Sequence, residues 1–145
     1  MSPDETTAFV RRFFAEVWNA RRLDQLDAYI APAARHWGDD DPVPDFRAHF
    51  RAQVFPEVTT AFPDAHFTVE EVIAHREWVA VRVVLHGTHL GPLPGLAPTG
   101  RRVAVRQFHL ARLAEGRVVE HWGVPDHAAL LAQLGVTAPP ADVPP

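Results

Sequence analysis

The stretch RQFHLARLAEGRVVEHWGVPD, Arg106 to Asp126, alternates apolar and polar residues on both sides of a short Ala-Glu-Gly turn, and so reads as an antiparallel strand pair. Counting by two along its first arm, extended back to Val103, puts Val103, Val105, Gln107, His109, Ala111 and Leu113 on one face. Ala104, Arg106, Phe108, Leu110 and Arg112 take the other. A two-residue loop would hold Glu115 at positive φ, which is costly for a residue with a Cβ, so a three-residue loop ending in a left-handed Gly116 is expected. Leu113 then pairs with Arg117, which sets His109 opposite His121 and Gln107 opposite Gly123. Three polar side chains thereby converge on an apolar face, where they can donate hydrogen bonds to a carbonyl or take a proton. The plain alternative is a pair of histidines satisfying each other in a partly exposed sheet. The apolar flanks and the missing side chain of Gly123 favour a pocket.

Working outward, the same period of two marks two earlier strands, HFTVEEVIAH from His66 and WVAVRVVLHGTHL from Trp78. Between the second and third of the four strands lies GPLPGLAPTG, with three Gly and three Pro, a long connection of the kind that often caps a site. Before the strands the period is helical. Ser2, Pro3 and Glu5 form a capping box ahead of Phe9, Phe13 and Val17. A second helical segment, RRLDQLDAYI, ends at APAA because Pro32 disfavours helix before it, and HWGDDDPVPD follows as a loop. A third helix is expected over Asp45 to Ala61. Three helices followed by a strand meander define an α+β fold, a strongly curved, mainly antiparallel sheet wrapped on N-terminal helices around a cavity. HAALLAQLG closes as a short helix, and VTAPPADVPP reads as a disordered tail.

The 145 residues, 47% hydrophobic and 22% charged with a net charge of −4, suit one domain and give no basic excess for phosphates or anionic lipid. Neither nucleic acid nor membrane is expected as a partner. With no Cys, thiolate metal sites and Cys nucleophiles are excluded. No apolar run reaches signal-peptide or membrane-span length, about 20 residues for a span, which points to a cytoplasmic protein. His86-x-x-His89 alternates faces in a strand and no HExxH occurs, so no metal site is expected. His36 and Trp37 are candidates for the cavity mouth, with Phe14 and Trp18 lining it from the first helix. His49, His66, His75 and His127 read as surface or helix-face residues. Phe108 and Leu110, set between arginines on the opposite strand face, suggest a subunit interface.

The segments FPD, GTHLGPLPGLAPTGRRV and GRVVEHW, with the Asp and LLAQLG that follow, resemble the SnoaL-like polyketide cyclases, or ester cyclases, of the nuclear transport factor 2-like superfamily. The likeness is close over Phe62 to Gly135 and looser over NARRLDQLDAYIAP. It implies one such domain over residues 1–136 followed by a Pro-rich tail over 137–145, an α+β barrel around a deep apolar pocket, and a homodimer or higher homo-oligomer. It further implies cofactor-free intramolecular aldol condensation of a small hydrophobic, aromatic polyketide-like ester. Gln107, His109 and His121 match polar pocket positions of the family. Its enzymes place an Asp two residues after the His of the fourth strand, where this chain has Gly123. Asp126 is the nearest substitute, although an Asp opening DHAALLAQLG is also a good N-cap, the favoured reading; His109 or His121 can serve as base without it. The expected catalytic set is thus His109, His121 and Asp126, with Gln107, Trp18, His36, Trp37 and Phe14 binding substrate. The competing readings are a non-catalytic binder of apolar ligands, a related hydrolase or isomerase, and a dimerising module whose pocket is filled by its own aromatic residues.

Overall fold

A computed structural model describes residues 1–38 and 42–136; of the tail expected to be disordered, residues 137–145 lie outside the described residues, while the Val136 N–H bonds to the Leu131 carbonyl. The chain begins as the sequence predicts. The Ser2 hydroxyl accepts from the Glu5 N–H at 3.1 Å and the Glu5 carboxylate accepts from the Ser2 N–H at 3.2 Å, closing a capping box on helix α1, Pro3–Phe13. The helix runs on through a wide π turn, Phe14–Asn19, whose Phe14, Val17 and Trp18 are buried. The third helix is also as expected, Phe46–His49 (α2) and Phe55–Ala61 (α3) joined by a π turn over Phe50–Val54. Pro56 explains that turn. Without an N–H, and with a ring that crowds the carbonyl four residues back, it forces the helix to widen.

The segment between them departs from the expectation. The second helix is only a 3₁₀ turn, Leu23–Ala28, and Ile30–Trp37 is a strand, β1, so the helices do not all precede the sheet. Pro32 lies beyond the end of that turn, inside β1, where it is tolerated because the strand is at the sheet edge and its pairing with β5 is interrupted between Ile30 and Arg35. Within the predicted loop, His36 exchanges both backbone hydrogen bonds with Val43, at 2.8 and 3.0 Å.

Strands β2 (His66–His75), β3 (Trp78–Thr88), β4 (Arg102–Ala114) and β5 (Arg117–Pro125) match the four predicted. They form an antiparallel meander, and β1 adds to β5 in parallel, giving the order β1-β5-β4-β3-β2 in an open sheet. Bulges between Val69 and Glu71 and within β5 bend it. The inner face packs Val79, Val81, Val83 and Leu85 of β3 and Val103 and Val105 of β4 against Phe9, Phe14, Val17 and Leu26, each such aliphatic side chain contributing about 1.5–3 kcal/mol.

The Gly/Pro-rich connection does not cap the cavity described below. Its Leu90 and Gly91 N–H groups bond to the Ala61 carbonyl, and buried His89 accepts the Thr99 N–H at Nδ1, tying the loop to the end of α3. A Cβ on Gly91 would lie 1.9 Å from the Thr60 carbonyl oxygen, so only glycine permits that approach.

Candidate functional site

The β4–β5 hairpin decides where His121 points. Ala114 pairs with Arg117 across a two-residue turn in which Glu115 (φ 52°) and Gly116 (φ 76°) are both left-handed. The expected three-residue loop is not used: the strain at Glu115, about 1–2 kcal/mol, is tolerated because this turn has the twist of the strands it joins. By itself the turn would set His121 against Leu110, on the outer face. Val119 corrects this as an extra residue, since Leu113 pairs with Val118 while Arg112 pairs with Glu120. Beyond the bulge His121 faces Ala111, His109 faces Gly123 and Gln107 faces Pro125. These partners lie two residues from those predicted, which returns the side chains beyond the bulge to the predicted face, while Val118 rather than Arg117 takes the inner position opposite Leu113.

The edge strand supplies the part that local reasoning missed. His36 and Trp37 of β1 lie in register with His121 and Trp122 of β5, so the two His-Trp pairs run side by side. The imidazoles turn inward and the indoles outward. Trp37 therefore does not line the cavity; it stacks on Trp122 on the outer face, centroids 4.4 Å apart and planes within 8°.

Inside, the polar groups form one chain. His36 Nδ1 lies 2.8 Å from His121 Nδ1, His121 Nε2 lies 2.9 Å from His109 Nδ1, and His109 Nε2 lies 3.0 Å from Gln107 Oε1. Phe46 stacks on both ends of the first link, 4.8 Å from the His36 ring and 4.6 Å from that of His121. Gly123 leaves room for the second link, because a Cβ there would sit 3.0 Å from His121 Cε1 and 3.2 Å from His109 Nδ1. Burial pushes the His109 imidazole down to about 4, with the charge of His36 adding to it. It also holds His121 well below the ordinary histidine value, helped by His109 and His36, and lowers His36, helped by His49 and opposed by the His121 backbone. At neutral pH the chain is uncharged.

These residues border a cavity of about 440 Å³, within the range of small-molecule pockets. Phe14 and Trp18 line it as expected, with Phe46, Phe50 and Val81. His49 and His127, which the sequence marks as surface or helix-face residues, line it as well; the signal for His49 is its position one turn after Phe46 on the same helix. Asp126 does not. Its carboxylate accepts the Ala129 N–H at 3.0 Å and caps the final helix α4, His127–Gln133. Among the described lining residues Glu57 is the one carboxylate, exposed on α3. No three His, Cys, Asp or Glu among the described residues are grouped to hold a metal ion.

A family model for the SnoaL-like polyketide cyclases matches residues 8–134. The nogalonic acid methyl ester cyclase of Streptomyces nogalater is 34% identical over 124 residues, covering 81% of this chain and 89% of its own length. The aklanonic acid methyl ester cyclase AcmA of Streptomyces galilaeus is 33% identical over 137 residues, covering 90% and 91%. Among solved structures AclR of Streptomyces galilaeus, a proposed hydroxylase, superposes with a TM-score of 0.83 at 30% identity, covering 98% of this chain and 92% of its own. IdmH of Streptomyces antibioticus, a proposed polyketide cyclase, gives 0.78 at 31%, covering 90% and 98%. The α+β cone expected from the resemblance is the fold of this chain.

Proposed function

Because the chain belongs to the SnoaL-like polyketide cyclase family, we propose that it closes a ring in a hydrophobic polyketide ester by a cofactor-free intramolecular aldol reaction. The observation that carries this reading is the row of uncharged, mutually bonded imidazoles set into an apolar cavity. An imidazole takes the proton α to a carbonyl, the enolate carbon attacks a second carbonyl of the same molecule, and the proton returns to the new alkoxide. Phe14, Trp18 and the other aromatic walls hold the chain in a reactive fold and keep water away. The linked imidazoles of His109, His121 and His36 move the proton, Gln107 completes their hydrogen bonds, and Asp126 serves the helix. The protein works in the cytoplasm as a homodimer, with exposed Phe108, Leu110, Trp122 and Val124 meeting a second copy between the Arg106–Glu70 and Arg112–Glu120 ion pairs.

Nogalonic acid methyl ester, the substrate named for one relative, is the first compound to assay. We expect a product of unchanged mass and altered retention, with His109→Ala and His121→Ala slowing its formation by about 10²–10⁴-fold while leaving the circular dichroism intact. Wild-type rates in both variants would sink the reading. Gly123, in place of the family's Asp, supports a second one, a binding protein, for which tight ester binding without any product is the signature.

A further inference from the structure

His109 and His121 border the cavity, yet neither has a ring nitrogen to spare. Both nitrogens of His109 are engaged, by Gln107 and His121, and both of His121, by His109 and His36. His36 differs. Its Nδ1 is bonded to His121, while Nε2 has no hydrogen-bond partner among the described residues and its ring borders the cavity.

The direction of the chain follows from counting protons. A neutral imidazole carries one N–H, and an amide oxygen can only accept. Gln107 Oε1 therefore requires the His109 proton on Nε2, which leaves His109 Nδ1 to accept from His121 Nε2–H. His121 Nδ1 must in turn accept from His36 Nδ1–H, so among the described residues of this chain of bonds the one lone pair not committed to a neighbour is on His36 Nε2. Resting on the cyclase reading above, we infer that His36 Nε2 is the atom that takes the substrate proton, and that Gln107 is a positioning residue that fixes the tautomers of all three histidines.

The step balances without a co-reactant. The C–H bond α to the carbonyl breaks, its electron pair becomes the enolate, and a new N–H bond forms at His36 Nε2. The positive charge on that ring is shared inward: the Nδ1 proton can pass to His121, and the Nε2 proton of His121 to His109, whose own Nε2–H stays on the Gln107 oxygen. When the enolate carbon bonds to the second carbonyl carbon, the π pair of that carbonyl moves to oxygen, and the oxygen takes the proton back from His36 Nε2.

The surroundings are arranged for a base that rests uncharged. Phe46 covers the His36 ring at 4.8 Å, and His49 lies parallel to it at 5.8 Å. His36 faces His49 from α2 and His121 from β5, while Glu57 of α3, His109 of β4 and His127 of α4 border the same cavity. Gly123 is part of the device, since any side chain on it would press on the His121–His109 link.

The test begins without substrate, on the full chain labelled with ¹⁵N-histidine. At pH 7.5 nuclear magnetic resonance should find His36 protonated at Nδ1 and bare at Nε2, with His109 and His121 protonated at Nε2, and acidification should add the first proton of the three at His36 Nε2. Gln107→Glu, which keeps an acceptor oxygen, should preserve that pattern, and Gln107→Leu should scramble it. A His36 protonated at Nε2 with Nδ1 bare, or tautomers indifferent to Gln107→Leu in a folded variant, overturns the inference. In the ester assay, His36→Asn should lower kcat about 100-fold with KM within roughly threefold, and added imidazole should restore part of it. Wild-type kcat in His36→Asn defeats the His36 assignment while leaving the cyclase reading standing. The tautomer pattern without any cyclisation does the reverse, retaining His36 Nε2 as the open acceptor of the site.

Discussion

In the middle of β4 and β5 the two faces invert the usual arrangement of a sheet. Toward the interior the strands present His109, His121 and Gln107, bonded to one another; toward the outside they present Phe108, Leu110, Trp122 and Val124, with Phe108 57% and Val124 63% exposed. Half-buried sheets ordinarily put apolar residues inside. In β3 that rule holds, with Val79 and Val83 at 1% and 0% exposure on the same inner face. Core and polar row thus share one strand: Val103, Val105, Ala111 and Leu113 of β4 join β3 and the helices in holding the structure, while Gln107 and His109 between them, with His121 of β5, are groups that stability alone would not select.

The largest effect should come from breaking the inner arrangement at its narrowest point. Gly123→Val places a branched side chain where even a Cβ comes within 3.2 Å of both imidazoles. The 2.9 Å link between His109 and His121 then has to open. We expect a loss of stability of about 1–3 kcal/mol from overpacking and a rate lower by about 100-fold, read by urea denaturation and by the ester assay. A variant of unchanged rate would show that the link is not used.

Acid should separate the faces next. The His109 pKa is about 4 when folded, against an ordinary value of about 6.5, so between these values the unfolded chain binds more protons than the folded one. Stability from this group is complete above about pH 6.5 and is lost as the pH falls toward 4. The loss amounts to at most about 3 kcal/mol, reduced because the cavity side of the ring is open. The shift at His121 acts in the same direction. Urea midpoints at pH 7.5 and 4.5 measure the drop, which should shrink in His109→Leu. The Glu70 carboxylate, held below its ordinary value by Arg106, also loses stability as the pH falls, so the comparison with His109→Leu is what isolates the imidazole. Equal midpoints would mean the imidazoles are charged in the folded protein.

Asp126 offers a smaller and sharper contrast, because it stands one residue beyond Pro125, the last inner-facing residue of β5, yet caps α4. Replacing it by Ala should cost about 1 kcal/mol and leave the rate within about twofold of wild type, since its carboxylate is spent on the Ala129 N–H. A loss of activity larger than the loss of stability would return Asp126 to the chemistry.

Legibility in the sequence followed the range of the interaction. Ser2 with Glu5, the Phe46–Phe50 spacing and the alternation of β2 to β5 are local patterns, and they appeared where the sequence put them. The inner face of β4 was legible too, since Val103 to Leu113 alternate strictly. The register of β5 was not: turn geometry and bulge each shift the pairing, and the Val119 bulge has no local sign as strong as the Gly of the turn. Hardest of all was β1. Pro32 marks the end of a helical turn whether or not a strand follows, and a parallel edge strand is defined by a partner some 85 residues away, as the His36–His121 contact is. Once that pairing is known, alternation alone sends His36 inward and Trp37 outward.

The outer face provides the smallest effect on the folded chain and the cleanest check on the inversion. Leu110 is 41% exposed, and its neighbours on the same face include Arg112, paired with Glu120 at 2.9 Å. Leu110→Glu should change chain stability by no more than about 0.5 kcal/mol, as for an ordinary surface position. If the apolar outer residues meet a second copy, the same change buries a charge twice across a two-fold contact, once from each chain. The expected result is a dimer by light scattering for the wild type and a monomer for the variant, both with the wild-type histidine tautomers inside. A variant that stays dimeric would place the contact elsewhere. A monomer that has lost the inner hydrogen bonds would show instead that the outer contact holds β4 and β5 in register, and that the two faces are coupled rather than merely opposite.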